Sequence, residues 1–139
     1  MKTKRKMLLD ELDKLCSKYI RQRDNECILC GGFKGEPKKL QSHHWILSRN
    51  MSNRYKFDER NCVALCYTCH IHKLHSTASY YYTRILKEKA LIKGIVTQSD
   101  IDEIMAHSHD IYKPSIIEIE DKINYYRSKL DGKITAENH

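Results

Sequence analysis

Apolar residues recur at helical spacing near the start of the chain. Between Met7 and Arg21 they are separated by acidic and basic residues, at the three- and four-residue intervals of an amphipathic helix. A helix with one apolar face usually covers a hydrophobic core, and docking against a partner subunit or DNA is its alternative role. The apolar positions are Leu8, Leu12, Leu15, Tyr19 and Ile20.

Two short extended segments are predicted in the middle of the chain. The turn at Glu36-Pro37 precedes the first, from Lys39 to Leu47, and the second covers Val63 to Leu65. The residues between them, Ser48 to Arg60, are polar and basic and therefore predict an exposed loop.

The helical pattern returns after Cys69 and continues almost to the end of the chain. It predicts a short helix from His70 to Ser76 and a longer one from Ala78 to Lys93, stopped by Gly94. The apolar side of the longer helix is assigned to Tyr81, Tyr82, Ile85 and Leu86. Two more helices are predicted to begin at the capping boxes Ser99 with Asp102 and Ser115 with Glu118, and the last to end at Asp131-Gly132.

These elements predict an α+β fold that is mainly helical. In it, an N-terminal helix and C-terminal helices flank a small two-stranded core. We predict a basic N-terminal helix in residues 1–24, the core in 25–77, a helical region in 78–132 and a frayed tail in 133–139. A chain of 139 residues is large enough for one functional unit of this kind.

The charge balance indicates a polyanionic partner. Lys and Arg total 25 against 18 Asp and Glu, which gives a net charge of +7. Nucleic acid is the first candidate and an acidic membrane surface the second. Because no apolar stretch approaches the roughly 18 residues of a membrane span, and no secretory signal is visible, we expect a cytoplasmic protein without membrane partners.

Two Cys-x-x-Cys pairs, Cys27 with Cys30 and Cys66 with Cys69, predict a zinc site. Four thiolates at this spacing suit tetrahedral zinc, and they leave no open coordination position, so the metal would be structural. A pair of redox dithiols is the alternative, but cysteines of a reduced compartment that occur as two such pairs are more typical of metal ligands. Cys16 and Cys62 are interpreted as ordinary buried or half-buried thiols.

The interval between the two pairs is longer than the roughly 15 to 20 residues of a simple zinc ribbon. It contains His43-His44 and Asn61, and His70 follows the last cysteine. Residues 27–75 thus resemble the ββα-metal core of HNH endonucleases, in the branch that carries a structural zinc. Residues 55–62 and 66–70 are most similar to phage recombination nucleases of the Rap (NinG) type.

The resemblance implies a role for each residue of this motif. His43 and His70 would hold a catalytic divalent metal, Mg²⁺ or another, and His44 would activate the attacking water. Asn61 would keep the imidazole of His44 aimed rather than bind metal. His75 is a candidate third ligand, as is His72, and for each an exposed helix histidine is an equal alternative.

The implied function is a metal-dependent DNA endonuclease, including action on branched recombination intermediates, encoded by a phage or prophage. The alternatives are a zinc-stabilised DNA-binding module with an inactive site and a structural or packaging-associated phage protein. A homodimer formed by the apolar stripes of the first and last helices would suit a twofold substrate. Phosphate contacts, or else a solvated basic face, are assigned to Arg49, Arg54, Lys56 and Lys73.

Overall fold

The computed structural model describes residues 1–49 and 54–137, and only the backbone of residues 132–137. It confirms a mainly helical chain with one small sheet, in the predicted order. The elements are α1 (Lys4–Asp24), β1 (Leu40–His44), β2 (Cys62–Cys66), a π-helical segment (Thr68–Leu74), α2 (Ser79–Ile92), α3 (Gln98–Ala106) and α4 (Ile116–Glu137), with 3-10 turns at Pro37–Lys39 and Glu59–Asn61. The division into four segments stays a prediction.

Helix α1 is longer than predicted because both of its ends are capped. The hydroxyl of Thr3 accepts a hydrogen bond from the Lys6 amide at 3.1 Å. At the other end Asn25 adopts φ 54° and donates its amide to the Arg21 carbonyl oxygen at 3.0 Å. The helix buries Leu12, Cys16 and Ile20, which are spaced by four residues and form one face.

Helix α4 packs against that face of α1. Its own buried residues are Ile119, Ile123, Tyr126 and Leu130, and the rings of Tyr19 and Tyr126 lie 5.5 Å apart. The apolar stripes of the first and last helices therefore pack against each other within one chain, so they do not supply the dimer surface predicted for them. Helix α4 continues through Asp131-Gly132 to Glu137, so the helix end predicted at these two residues is wrong.

The two strands form an antiparallel ladder in which Leu40 lies opposite Cys66 and His44 opposite Cys62. All five residues of β2 are buried. The edge of β2 that faces away from β1 is covered, since the Ala64 amide donates to Asp24 Oδ2 at 2.7 Å and its carbonyl accepts from the Ile28 amide at 2.9 Å. The end of α1 thus holds the sheet in place.

The segment from Ser48 to Arg60 is only partly the exposed loop that its composition predicts, and residues 50–53 lie outside the described residues. Tyr55 and Phe57 are buried. Arg60 forms ion pairs with Asp58, Asp100 and Glu103. This segment is therefore anchored to the core and to α3.

The helices after the core follow the sequence pattern with two corrections. Gly94, at φ 74°, follows α2 as predicted, but Tyr81 is exposed because the helix turns Leu86 and Ala90 toward the core. Helix α3 begins at a capping box of Thr97 and Asp100 rather than Ser99 and Asp102. The predicted hydrogen bonds between Ser115 and Glu118 are present.

Within residues 1–49 and 54–137, no helix is long and apolar enough to cross a lipid bilayer.

Candidate metal centres and the histidine cavity

The four predicted zinc cysteines converge on one point. The sulfur atoms of Cys27, Cys30, Cys66 and Cys69 all lie within 4.8 Å of one another. The Cys30 and Cys66 sulfurs are 3.8 Å apart. Metal–sulfur bonds of about 2.3 Å in tetrahedral geometry give sulfur–sulfur separations of about 3.8 Å. The cluster could therefore hold a structural metal such as zinc.

Backbone amides turn toward these sulfurs in both Cys-x-x-Cys pairs. The Cys30 amide lies 3.5 Å from Cys27 Sγ, and the Cys69 amide lies 3.5 Å from Cys66 Sγ. Gly31 adopts φ +75°, and a Cβ on Gly32 would lie 3.3 Å from Cys30 Sγ. The two glycines thus give the first pair a tight turn around its sulfurs. Cys16 and Cys62 are buried outside the cluster, as predicted.

A second cluster consists of His43, His70 and His75, whose ligating nitrogens also lie within 4.8 Å of one another. His43 lies on β1, His70 in the π-helical segment and His75 directly after it. In an α-helix, residues five apart point about 140° away from each other. The wider π-helical turn bonds residue i to i+5. It brings the rings of His70 and His75 to 4.8 Å between centroids.

The chemistry of this cluster fits a divalent transition metal. Burial lowers the pKa of His43 to about 3, and burial likewise lowers the pKa of His70. Both imidazoles are then neutral at neutral pH, which is the form that binds metal. Three imidazoles suit zinc, nickel or cobalt, whereas Mg²⁺ prefers oxygen ligands. No carboxylate joins the cluster in the described part of the chain, so its donors do not favour the expected Mg²⁺.

His44 lies next to this cluster but is held differently. Its Nε2 lies 2.7 Å from the Lys56 carbonyl oxygen. Because a carbonyl only accepts hydrogen bonds, Nε2 carries the proton and Nδ1 keeps its lone pair. Burial also lowers the pKa of His44. The side chain therefore has the protonation state of a general base at neutral pH.

The four histidines surround one cavity of about 470 Å³. His43 and His44 are consecutive on β1, and the strand alternation gives them different surroundings. The cavity is large enough for a phosphate group and several waters. Its lining residues are Ser42, His43, His44, Ser48, Arg49, His70 and His75.

Asn61 is buried and is the last residue of the 3-10 turn that directly precedes β2. Its Oδ1 accepts from the amides of Ile46 and Leu47, at 3.0 and 2.9 Å. Its Nδ2 donates to the carbonyl oxygens of Leu47 and Tyr55, at 3.0 and 3.2 Å. All four hydrogen bonds of the Asn61 side chain are therefore made to backbone groups. This is the geometry of a residue that positions a loop.

The four cations assigned to phosphate contacts have different neighbours, although Arg49 and Lys56 line one pocket beside His44. Arg49 lines the histidine cavity and pairs with Asp13 of α1 at 2.8 Å. The half-buried Lys56 lies against Phe57. Arg54 pairs with Asp110 at 3.7 Å. Lys73 lies over the ring of Tyr82, and the nearby Cys69 sulfur raises its pKa.

Two residues around the site were missed from the sequence. Gln41 lies 2.6 Å from His70, and its place two positions before His43 on a strand could have indicated a shared face. Asp13 reaches the cavity through Arg49, and nothing in the helical pattern around it distinguishes it from other acidic positions of α1. Trp45, which directly follows His44, is buried in the hydrophobic core.

The fold and its clusters define a mainly helical protein around a small sheet, with four cysteines that could hold a structural metal. The sequence model of the NinG family, described as the bacteriophage lambda NinG protein, matches residues 1–134. The chain therefore belongs to the NinG family of phage proteins. No curated protein and no solved structure shows a significant match to it.

Proposed function

We propose that this protein is a metal-dependent DNA endonuclease of the HNH type. The observation that carries the proposal is the pairing of three convergent histidines with a fourth whose free nitrogen is fixed by a backbone carbonyl. Hydrolysis of a phosphodiester needs both a cation and a base in one cavity. The net charge of +7 supports a polyanionic substrate.

The four histidines and the arginine that line the cavity divide the tasks of this reaction among them. His43, His70 and His75 would hold the divalent cation, which when bound would stabilise negative charge on the phosphate. His44 accepts a proton from water at Nδ1, while its Nε2–H remains bonded to Lys56 O. Arg49 contacts a phosphate oxygen at the mouth of the cavity.

Asn61 acts on this reaction through the backbone. It links Leu47, which directly precedes the 48–60 segment, to Tyr55 within that segment. Lys56, whose carbonyl orients His44, follows Tyr55 directly. Asn61 is therefore proposed as a positioning residue for the general base.

The proposal is tested by a cleavage assay on supercoiled plasmid, linear duplex and a four-way junction. Each substrate is incubated with Mg²⁺, Mn²⁺, Co²⁺, Ni²⁺ or Zn²⁺, with wild type and His44→Ala side by side. We expect wild type to cut at least one substrate, with a transition metal most effective, and His44→Ala to bind the same DNA without cutting it. The junction arm tests the branched substrates implied by the resemblance.

The alternative is a DNA-binding module with an inactive site. It predicts that wild type shifts DNA in a gel but leaves every substrate intact with every metal. That result would overturn the endonuclease proposal. Cleavage that persists undiminished in His44→Ala would instead remove His44 from its assigned role.

A further inference from the structure

A glutamine contacts one of the three clustered histidines. Oε1 of Gln41 lies 2.6 Å from Nδ1 of His70. The amide oxygen can only accept a hydrogen bond, so it is satisfied when His70 carries its proton on Nδ1. The lone pair of His70 is then on Nε2, the nitrogen that remains available to a metal.

The position of Gln41 on the sheet explains how this contact arises. Gln41 and His43 are two residues apart on β1, and side chains two apart on a strand lie on the same face. The ladder fixes both of them, since Gln41 lies opposite Leu65 and His43 opposite Val63 on the buried strand β2. One face of β1 thus supplies a histidine of the cluster together with the group that contacts a second one.

The π-helical segment brings His70 to this face from the other side. The rings of His43 and His70 lie 5.2 Å apart between centroids. Without an acceptor at Nδ1, the imidazole of His70 could rotate or carry its proton on Nε2, and either change would remove a donor from the cluster. Histidines that bind metal usually donate their second ring N–H to such a partner.

We propose that Gln41 is a positioning residue for metal binding, which fixes the ring orientation and the tautomer of His70. This inference rests on the proposed metal site of His43, His70 and His75, because it concerns how that site is prepared for its ion. Loss of a partner of this kind typically weakens metal binding about 10- to 100-fold. The amide oxygen of Gln41 is an uncharged acceptor for the N–H of His70. A negatively charged carboxylate at the same position should therefore strengthen metal binding by the cluster.

The test uses the full chain with zinc in its cysteine cluster, titrated with Co²⁺ and followed by visible absorption. Gln41→Leu removes the acceptor at similar size, and Gln41→Glu retains an acceptor with added charge. The matched control is Gln98→Leu on α3, where the side chain donates to Asp102 at 2.9 Å. His43→Ala removes one histidine of the cluster, so the Co²⁺ absorption that remains in this variant measures binding elsewhere in the protein.

We expect Gln41→Leu to bind Co²⁺ about 10- to 100-fold more weakly, with a changed ligand-field spectrum. Gln41→Glu should match or exceed wild type, and Gln98→Leu should equal it. Unchanged affinity and spectrum in Gln41→Leu would overturn the role of Gln41 alone. If Gln41→Leu fails to fold, weaker binding by Gln41→Glu overturns it. Absence of any Co²⁺ binding that depends on His43 in wild type would overturn the metal site itself.

Discussion

The Nε2 atom of His44 donates a hydrogen bond to the backbone carbonyl oxygen of Lys56, 2.7 Å away. His44 precedes the 48–60 segment and Lys56 lies within it. Because Nε2 carries the proton in this bond, Nδ1 of His44 is unprotonated. One main-chain contact therefore sets both the direction and the tautomer of the imidazole. Since it involves only the carbonyl of Lys56, it does not depend on which side chain that residue carries.

Replacing His44 with alanine should remove the general base and leave the metal sites in place. We expect DNA cleavage to fall roughly 100- to 10,000-fold, with DNA affinity and zinc content unchanged. The measurement is the single-turnover cleavage rate, beside metal analysis by mass spectrometry. His109→Ala, at an exposed position outside the cavity, is the control and should cut like wild type.

Replacing Asn61 with alanine should lower stability more than a typical polar substitution. It would leave two backbone amides and two carbonyl oxygens without their partners in a buried place, at a cost of about 2 to 4 kcal/mol. Urea unfolding measures the change. Asn61→Asp should also be destabilising, since it keeps the two accepted bonds but sets a carboxylate against the Leu47 and Tyr55 carbonyls. Equal stability of both variants and wild type would contradict the positioning role.

Replacing Cys66 with serine should release the structural metal. The change removes one of four converging sulfurs, so we expect sub-stoichiometric zinc and a lower Tm. Cys62→Ala is the matched control, because Cys62 is a buried cysteine four residues away that lies outside the cluster. Full zinc content in Cys66→Ser, measured by native mass spectrometry, would show that the four cysteines are not a metal site.

Replacing Asp13 with asparagine should strengthen DNA binding. Asp13 engages both terminal nitrogens of Arg49, at 2.8 and 3.0 Å, and would compete with a phosphate for that guanidinium. Both side chains are about half exposed, so the ion pair adds little stability. The free energy of unfolding should therefore change by less than about 1 kcal/mol.

The matched change for Asp13→Asn is Arg49→Ala, which should weaken DNA binding. It should also reduce the slope of log affinity against log salt by about 1. Fluorescence anisotropy across a salt series measures both variants. A weaker affinity in Asp13→Asn would indicate that the carboxylate holds Arg49 in its binding position instead.

Local patterns in the sequence were enough to predict the main elements. The spacing of Leu12, Leu15 and Tyr19 predicted α1, and Gly94 marked the end of α2, because helix formation and termination depend on residues a few positions apart. The two Cys-x-x-Cys pairs predicted a cluster that the structure confirms as a group able to hold metal. The burial of Tyr55 and the exposure of Tyr81 were not predicted, since both depend on which neighbours pack against them.

The sequence by itself determined the helices, the two strands, the four cysteines and the histidines from which a nuclease is proposed. Only the tertiary structure decided that His75 joins His43 and His70, that Gln41 contacts His70 and that Arg49 pairs with Asp13 of α1. Helical spacing and metal-ligand spacing are properties of short stretches of chain. The other relationships join residues from separate elements, and their distances are fixed only when the sheet, the π-helical turn and α1 pack together.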